Sequence, residues 1–247
     1  MAEPSPPISA RTPLRGLGPV LGLALVLVAC GGEDEAAHPL SACADRGASP
    51  STIVESLAVF DELPEPTIPC FVASLERPLE VVASRSQLSA QPALDEASPR
   101  LFLLRDTMVL TVVLAGSGQH LLEYGEWETP TRTLKAELAF PVEPPIAPEE
   151  PFVQVLNDSP NISGIEPGCA PCHHDEQPSL ALGSVTGYSS TAYRPVPSLL
   201  VPLDQVASQR RNCADDDRSE RCDLLRAVVD FGATQGSFNP DLATFGE

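Results

Sequence analysis

Proline is the residue type that most constrains how this chain can fold, because 27 of its 247 residues are proline. Each proline fixes φ and lacks a backbone N–H, so it is excluded from helix interiors and central strands. The sequence therefore predicts short elements joined by stiff turns rather than long helices. The densest run, residues 141–151 (PVEPPIAPEEP), predicts a hinge between two halves of the chain.

Residues 50–145 carry the pattern of a small antiparallel β domain with a sandwich-like arrangement. The predicted strands are 71–75, 79–83, 101–105, 108–115, 119–124 and 133–140. Gly116-Ser117-Gly118 supplies the turn of a hairpin after the fourth segment of this set. In 133–140, apolar and polar residues alternate, which places Leu134, Ala136 and Leu138 on one face.

Residues 146–235 have a different, irregular and helical character. Segments 203–211 and 222–231 have helical patterns, and Gly232 stands where a helix C-terminal cap belongs. Residues 236–247 are predicted to be a C-terminal tail. The fold class predicted from these segments is α+β, with an N-terminal β domain followed by an irregular and helical module.

The formal net charge of −19 limits the partners that the chain can have. A strongly acidic chain is repelled by the phosphates of nucleic acids, so nucleic acid is not an expected partner. The same charge argues against an electrostatic hold on an anionic membrane surface. Any attachment to a membrane must therefore have another physical basis.

The N-terminal sequence predicts a lipid anchor as this basis. Arg11 and Arg15 precede an uncharged apolar stretch, residues 16–29, which is shorter than the roughly 20 residues of a membrane span. This stretch fits a signal peptide. Its end, Leu27-Val28-Ala29-Cys30, resembles the lipobox of bacterial lipoproteins. The resemblance implies that residues 1–29 are removed and that Cys30 carries the lipid.

Under this interpretation, residues 30–49 form an acidic tether between the lipid and the folded body. Gly31 follows the lipidated position, which resembles lipoproteins that are sent to the outer membrane. The expected location is the cell envelope, with the protein facing the periplasm or the cell surface. The expected partner at this end is the membrane, bound through the N-terminal lipid.

The remaining six cysteines form three sequence-local pairs, as expected in an oxidising compartment. Cys43 and Cys70 are one disulfide candidate, and Cys213 and Cys222 are another. The third pair is Cys169 and Cys172, for which several kinds of chemistry are open.

Cys169-Ala170-Pro171-Cys172-His173 is a C-x-x-C-H motif, the spacing of haem attachment. It resembles the motif of c-type cytochromes. The resemblance implies one covalent haem c, with Cys169 and Cys172 as thioether anchors and His173 as the axial ligand of the iron. It also implies electron transfer or haem-based sensing, with a redox protein as partner. Met108 and His120, on the predicted hairpin, are the candidates for the distal ligand.

Two other interpretations of the motif remain open. Cys169 and Cys172 can form a tight local disulfide, which makes the chain a disulfide-stapled structural or interaction lipoprotein without a cofactor. Alternatively, the cysteines with His173 and His174 can serve zinc, copper or thiol redox chemistry. The chain lacks G-x-S-x-G, H-E-x-x-H and phosphate-loop motifs, so an enzyme with its own substrate pocket is not the expectation.

Overall fold

The computed structural model describes residues 38–89, 91–157 and 175–244, with residues 154–157 described at the backbone only. Within these ranges the chain forms six α-helices and eleven strands. The helices are α1 (Leu40–Ala44), α2 (Ile53–Glu62), α3 (Ile68–Ser74), α4 (Glu150–Asn157), α5 (Leu203–Arg211) and α6 (Glu220–Val229). The strands are β1 (Leu79–Ser84), β2 (Arg100–Leu104), β3 (Met108–Val113), β4 (Leu121–Thr129), β5 (Arg132–Ala139), β6 (Gln177–Leu182), β7 (Val185–Thr191), β8 (Tyr193–Arg194), β9 (Leu200–Val201), β10 (Ala233–Gln235) and β11 (Ala243–Thr244).

One nine-stranded sheet organises the body. Its order is β10-β1-β2-β3-β4-β5-β7-β6, and β9 also pairs with β1. All neighbours in this sheet are antiparallel except β1 and β10, which run parallel. β8 and β11 form a separate parallel pair. The prediction of a mixed fold with a mostly antiparallel sheet is confirmed at this level.

The main core lies between one face of this sheet and the helices. Leu134, Ala136 and Leu138 of β5 are buried there, as their alternation predicts, and they share the core with buried residues of all six helices. The predicted sandwich is therefore corrected: in the described part of the chain, helices rather than a second large sheet pack on this face.

Segment 71–75 is the clearest local error of the sequence prediction, because most of it belongs to helix α3. The Thr67 side chain accepts a hydrogen bond from the Cys70 backbone N–H, and Pro69 lies in the first turn of the helix. All seven residues of α3 are buried. A short and fully apolar run has no periodicity that distinguishes a buried helix from a buried strand.

The second half of the chain contributes to the same sheet as the first. β7 pairs with β5 through Leu134 and Ser189, and β10 pairs with β1 through Leu79 and Ala233. The sheet thus crosses the predicted boundary near residue 145. Helices α5 and α6 occur where the sequence predicts them, and Gly232 follows α6 with a φ of 98°. A helical module separate from the sheet is not observed within residues 175–244.

The first and the last described segments of the chain both pack against the rest of the folded body. Residues 38–49, assigned above to the tether, include α1 with its buried Leu40 and Cys43. At the other end, the Gly236 N–H donates to the Val81 carbonyl, and the Phe238 ring lies edge-on to Phe102 at 5.3 Å. Among the residues that the structure describes, no helix is both long and apolar enough to cross a bilayer.

Candidate functional site

The C-x-x-C-H motif of Cys169, Cys172 and His173 lies outside the described residues, as does Cys30. The described chain resumes at Asp175, whose backbone is hydrogen-bonded to strand β5. The Asp175 carbonyl accepts a hydrogen bond from Arg132 Nη2 at 2.7 Å, and the same nitrogen donates to the Ser189 carbonyl at 2.9 Å. Arg132 is the first residue of β5. The residue two positions after His173 is therefore held at the end of the sheet where β4 turns into β5.

Met108 is a core residue. Its side chain is fully buried in β3, in the cluster that joins the sheet to the helices. Met108 pairs with Glu126 of β4, and the Glu126 carboxylate accepts a hydrogen bond from the first backbone N–H of α2 at 2.8 Å. The thioether is enclosed by other residues of the body, and Met108 as the distal ligand stays a prediction.

His120 is exposed in the turn between β3 and β4. Its carbonyl accepts a hydrogen bond from the Phe140 N–H, which places it beyond the last residue of β5. From Arg132 to Ala139, β5 rises about 23 Å, at roughly 3.3 Å per residue. His120 and Asp175 are therefore associated with opposite ends of β5, and the structure does not bring the two together.

Two disulfides account for four of the cysteines. Cys43 of α1 is bonded to Cys70 of α3, with their Cα atoms 5.4 Å apart. Cys213, after α5, is bonded to Cys222 of α6, with Cα atoms 5.7 Å apart. Both pairs are those predicted from the sequence. Because these four sulfurs are occupied, Cys169 and Cys172 have only each other and Cys30 as sulfur partners within the chain.

A buried arginine organises the loop that the second disulfide closes. The Arg226 side chain is 3% exposed, and it donates to the carbonyls of Ala214, Asp215 and Asp217. It also pairs with the Asp223 carboxylate at 2.9 Å. No role was predicted for Arg226 from the sequence. The pattern that could have indicated one is that Arg226 is the one cationic residue in the otherwise largely apolar helical segment 222–231.

Asp223 connects this loop to the start of the described chain. Its carboxylate accepts from Arg218 Nε at 3.1 Å, in addition to Arg226, and lies 3.3 Å from His38 Nε2. Burial lowers the pKa of His38 from its ordinary value of 6.5, with further lowering by Arg218 and Arg226, while Asp223 acts in the opposite direction. His38 is therefore mainly neutral at pH 7.

One group among the described residues has side chains of the types that ligate metal ions. Cys213, Asp217 and Cys222 have ligand atoms within 4.8 Å of one another. Both cysteine sulfurs of this group are bonded to each other. The thiolates that a zinc or copper ion needs are therefore not available at this position.

We compared the chain with models of protein families, with curated proteins and with solved structures, and none of these comparisons gave a match.

Proposed function

We propose that this chain is a cell-envelope lipoprotein, anchored by a lipid on Cys30, that carries one covalent haem c. Cys169 and Cys172 would hold the haem through thioether bonds, and His173 would be the axial ligand. When bound, the haem supplies iron redox chemistry and the capacity to bind a small ligand at the iron. The protein contributes the covalent attachment, one axial ligand and a fixed position at the membrane.

The cysteine pairing is the observation that carries this proposal. Disulfides Cys43–Cys70 and Cys213–Cys222 remove four sulfurs from competition. They leave the two cysteines of the C-x-x-C-H motif at the spacing that haem attachment requires. An exported chain with two structural disulfides is also consistent with the compartment in which covalent haem attachment occurs.

The side chains that could serve as a second axial ligand of the haem iron favour ligand binding or sensing over rapid electron transfer. The chain has four histidines and two methionines. Met108 is buried in the core, His38 contacts Asp223, and His120 lies at the opposite end of β5 from the Asp175 anchor. His174 is adjacent to His173 and cannot approach the opposite face of the same ring. We therefore expect one axial position to be available to an exogenous ligand.

A haem stain on a denaturing gel tests the attachment, after expression with a c-type maturation system. Covalent haem survives denaturation, so the wild-type band should stain and C169S/C172S should not. The matched control is C213S/C222S, which removes the same number of cysteines and should still stain. A blank wild-type lane beside a well-expressed band would refute the proposal.

Optical spectroscopy tests the axial ligands. We expect H173A to change the haem spectrum, while the neighbouring H174A, as well as H120A and M108L, leave it unchanged. Added imidazole should shift the wild-type spectrum by occupying the available position. An altered spectrum in M108L or H120A would instead assign a distal ligand from the β3–β4 hairpin.

The lipid anchor is tested separately. Palmitate labelling of cells should mark the wild-type protein and not C30S, and C30S should leave the membrane fraction. An unlabelled wild-type protein would remove the lipoprotein part of the proposal and leave the haem part standing.

The competing proposal, from a different functional class, is a disulfide-stapled interaction protein without cofactor. The two observed disulfides are compatible with it. Mass spectrometry under non-reducing conditions distinguishes the two, because this alternative predicts a Cys169–Cys172 disulfide and no added haem mass. The zinc, copper or thiol redox interpretation instead predicts two free thiols at these positions.

A further inference from the structure

An open groove of about 830 Å³ lies at the end of the sheet where β2 turns into β3 and β4 turns into β5. Its other walls come from the residues before α2, the α3–β1 connection and the stretch after β10. Its volume falls within the roughly 300–1,000 Å³ that is usual for ligand clefts. Five segments that are distant in sequence thus build one concave surface.

Aromatic and proline side chains give this groove flat apolar surfaces. Trp127 and Phe238 line it, together with Pro78 and Pro130. The Trp127 backbone N–H donates to the Thr107 carbonyl at 2.8 Å, which ties the two turns together. The Trp127 side chain is half-buried. The indole is thus partly accessible from the groove, and the π faces of aromatic rings attract cations.

The two arginines of the groove have their charges engaged inside the protein. Arg77 donates to the Val72 carbonyl at 2.8 Å and to the Ala227 carbonyl at 2.7 Å. Arg105 donates to Ser49 Oγ at 2.7 Å and lies 3.6 Å from the Glu76 carboxylate. Arg105 is thus paired with a carboxylate, whereas Arg77 keeps its positive charge, and the groove holds four carboxylates against these two arginines.

Three carboxylates of the groove have no such engagement. Glu80, Asp106 and Glu128 are exposed, and within the described part of the chain none of their carboxylates has a hydrogen bond or an ion pair. Together with Trp127, they give the groove an excess of negative charge beside an aromatic side chain. This is the chemistry that recognises arginine and lysine side chains.

We propose that the groove binds a basic, extended segment of a partner protein, with arginine or lysine side chains on Trp127 and on the three free carboxylates. The charge of the chain favours this occupant over a second copy, because each copy carries a formal charge of −19 and would be repelled. Nothing in this interaction requires the cofactor proposed above, since every lining residue belongs to the described body.

A labelled peptide of four Arg-Pro repeats serves as the probe, and its fluorescence anisotropy reports binding to the full chain. The groove variant is E80Q/D106N/E128Q. The matched control is D61N/E65Q/E96Q, which makes the same change in net charge at exposed positions outside the groove. We expect about a tenfold loss of affinity in the groove variant, since three surface charge pairs together contribute about 1.4 kcal/mol. We expect less than about a twofold loss in the control.

Trp127 supplies an independent readout of position, because it is the only tryptophan of the chain. Peptide binding should change its fluorescence, and W127L should weaken binding by about fivefold while W127F retains part of it. Higher salt should weaken wild-type binding.

Three outcomes would overturn the inference: no binding of the wild type, equal losses in the two triple variants, or self-association that the groove variant abolishes. The second outcome assigns binding to net charge alone, and the third assigns the groove to a second copy. None of them bears on haem attachment, which the gel stain decides separately.

Discussion

At the scale of single residues, a few arginines hold the helices in place. The C-terminal carbonyls of a helix have no partner within the helix and need donors from elsewhere. Arg77 supplies donors to two helices at once, bonding to carbonyls of Val72 and Ala73 at the end of α3 and of Ala227 near the end of α6. Burial lowers the pKa of Arg77 to about 10, so the group stays charged at neutral pH.

We predict that R77A lowers the free energy of unfolding by about 2–4 kcal/mol, because it leaves several carbonyls of two helix ends without a donor. R77K should recover only part of this loss, since one ammonium cannot span both helix ends. Urea denaturation measures the effect. The control is R85A, which removes an exposed arginine with one backbone contact and should cost less than about 1 kcal/mol. Equal losses in R77A and R85A would contradict the bridging role.

His38 gives a prediction about pH. Because burial makes its pKa lower in the folded than in the unfolded chain, the unfolded chain binds more protons as the pH falls through 6.5. His38 should therefore reduce the free energy of unfolding between pH 7.5 and pH 5.5. H38N retains an acceptor for the Leu40 N–H but does not titrate. We expect H38N to lose less stability over this range than the wild type does.

Urea denaturation of the wild type and of H38N at the two pH values gives the comparison. An unchanged pH dependence in H38N would show that the burial of His38 does not contribute to it.

At the scale of elements, the two disulfides fasten helices that the chain brings together from different places. Cys43–Cys70 joins α1 to α3 across a sequence separation of 27, whereas Cys213–Cys222 joins the end of α5 to α6 across a separation of 9. The Arg226 contacts hold the shorter loop from inside. The longer loop has no comparable buried cation among its described contacts.

The loop lengths predict the order of the two contributions. A crosslink restricts the unfolded chain more when it closes a longer loop, which gives about 3–4 kcal/mol for Cys43–Cys70 and about 2–3 kcal/mol for Cys213–Cys222. C43A/C70A should therefore unfold at lower urea concentration than C213A/C222A. The reverse order would indicate that contacts around Cys213–Cys222, rather than loop closure, dominate.

At the scale of the whole molecule, the sheet joins both halves of the chain. The outer edge of β1 is covered by β9 and β10, and the buried Leu224, Leu225 and Val228 of α6 belong to the same core as α3. The proline-rich stretch 141–151 therefore connects two parts of one sheet.

This arrangement predicts that a fragment of residues 38–145 does not fold by itself. Removing the second half uncovers the edge of β1 and the apolar surface that α6 covers. Circular dichroism with thermal unfolding should show a cooperative transition for residues 38–244 and none for the fragment. A cooperative transition of the fragment would support an independent β domain that ends near residue 145.

The sequence by itself determined the features that depend on neighbouring residues. The alternation in 133–140, the helical patterns of 203–211 and 222–231 and the pairing of nearby cysteines all agree with the structure. The C-x-x-C-H motif is likewise a local pattern, and its chemistry is read from five adjacent residues.

Only the tertiary structure decided the features that depend on distant contacts. It placed 71–75 mostly in a helix, buried Met108 in the core, gave Arg226 its carbonyl partners and assembled the groove from five separate segments. A short apolar run or a lone charged residue is compatible with several environments. The environment of such a residue or run depends on contacts with residues that lie tens or hundreds of positions away. The periodicity of the sequence contains no information about these contacts.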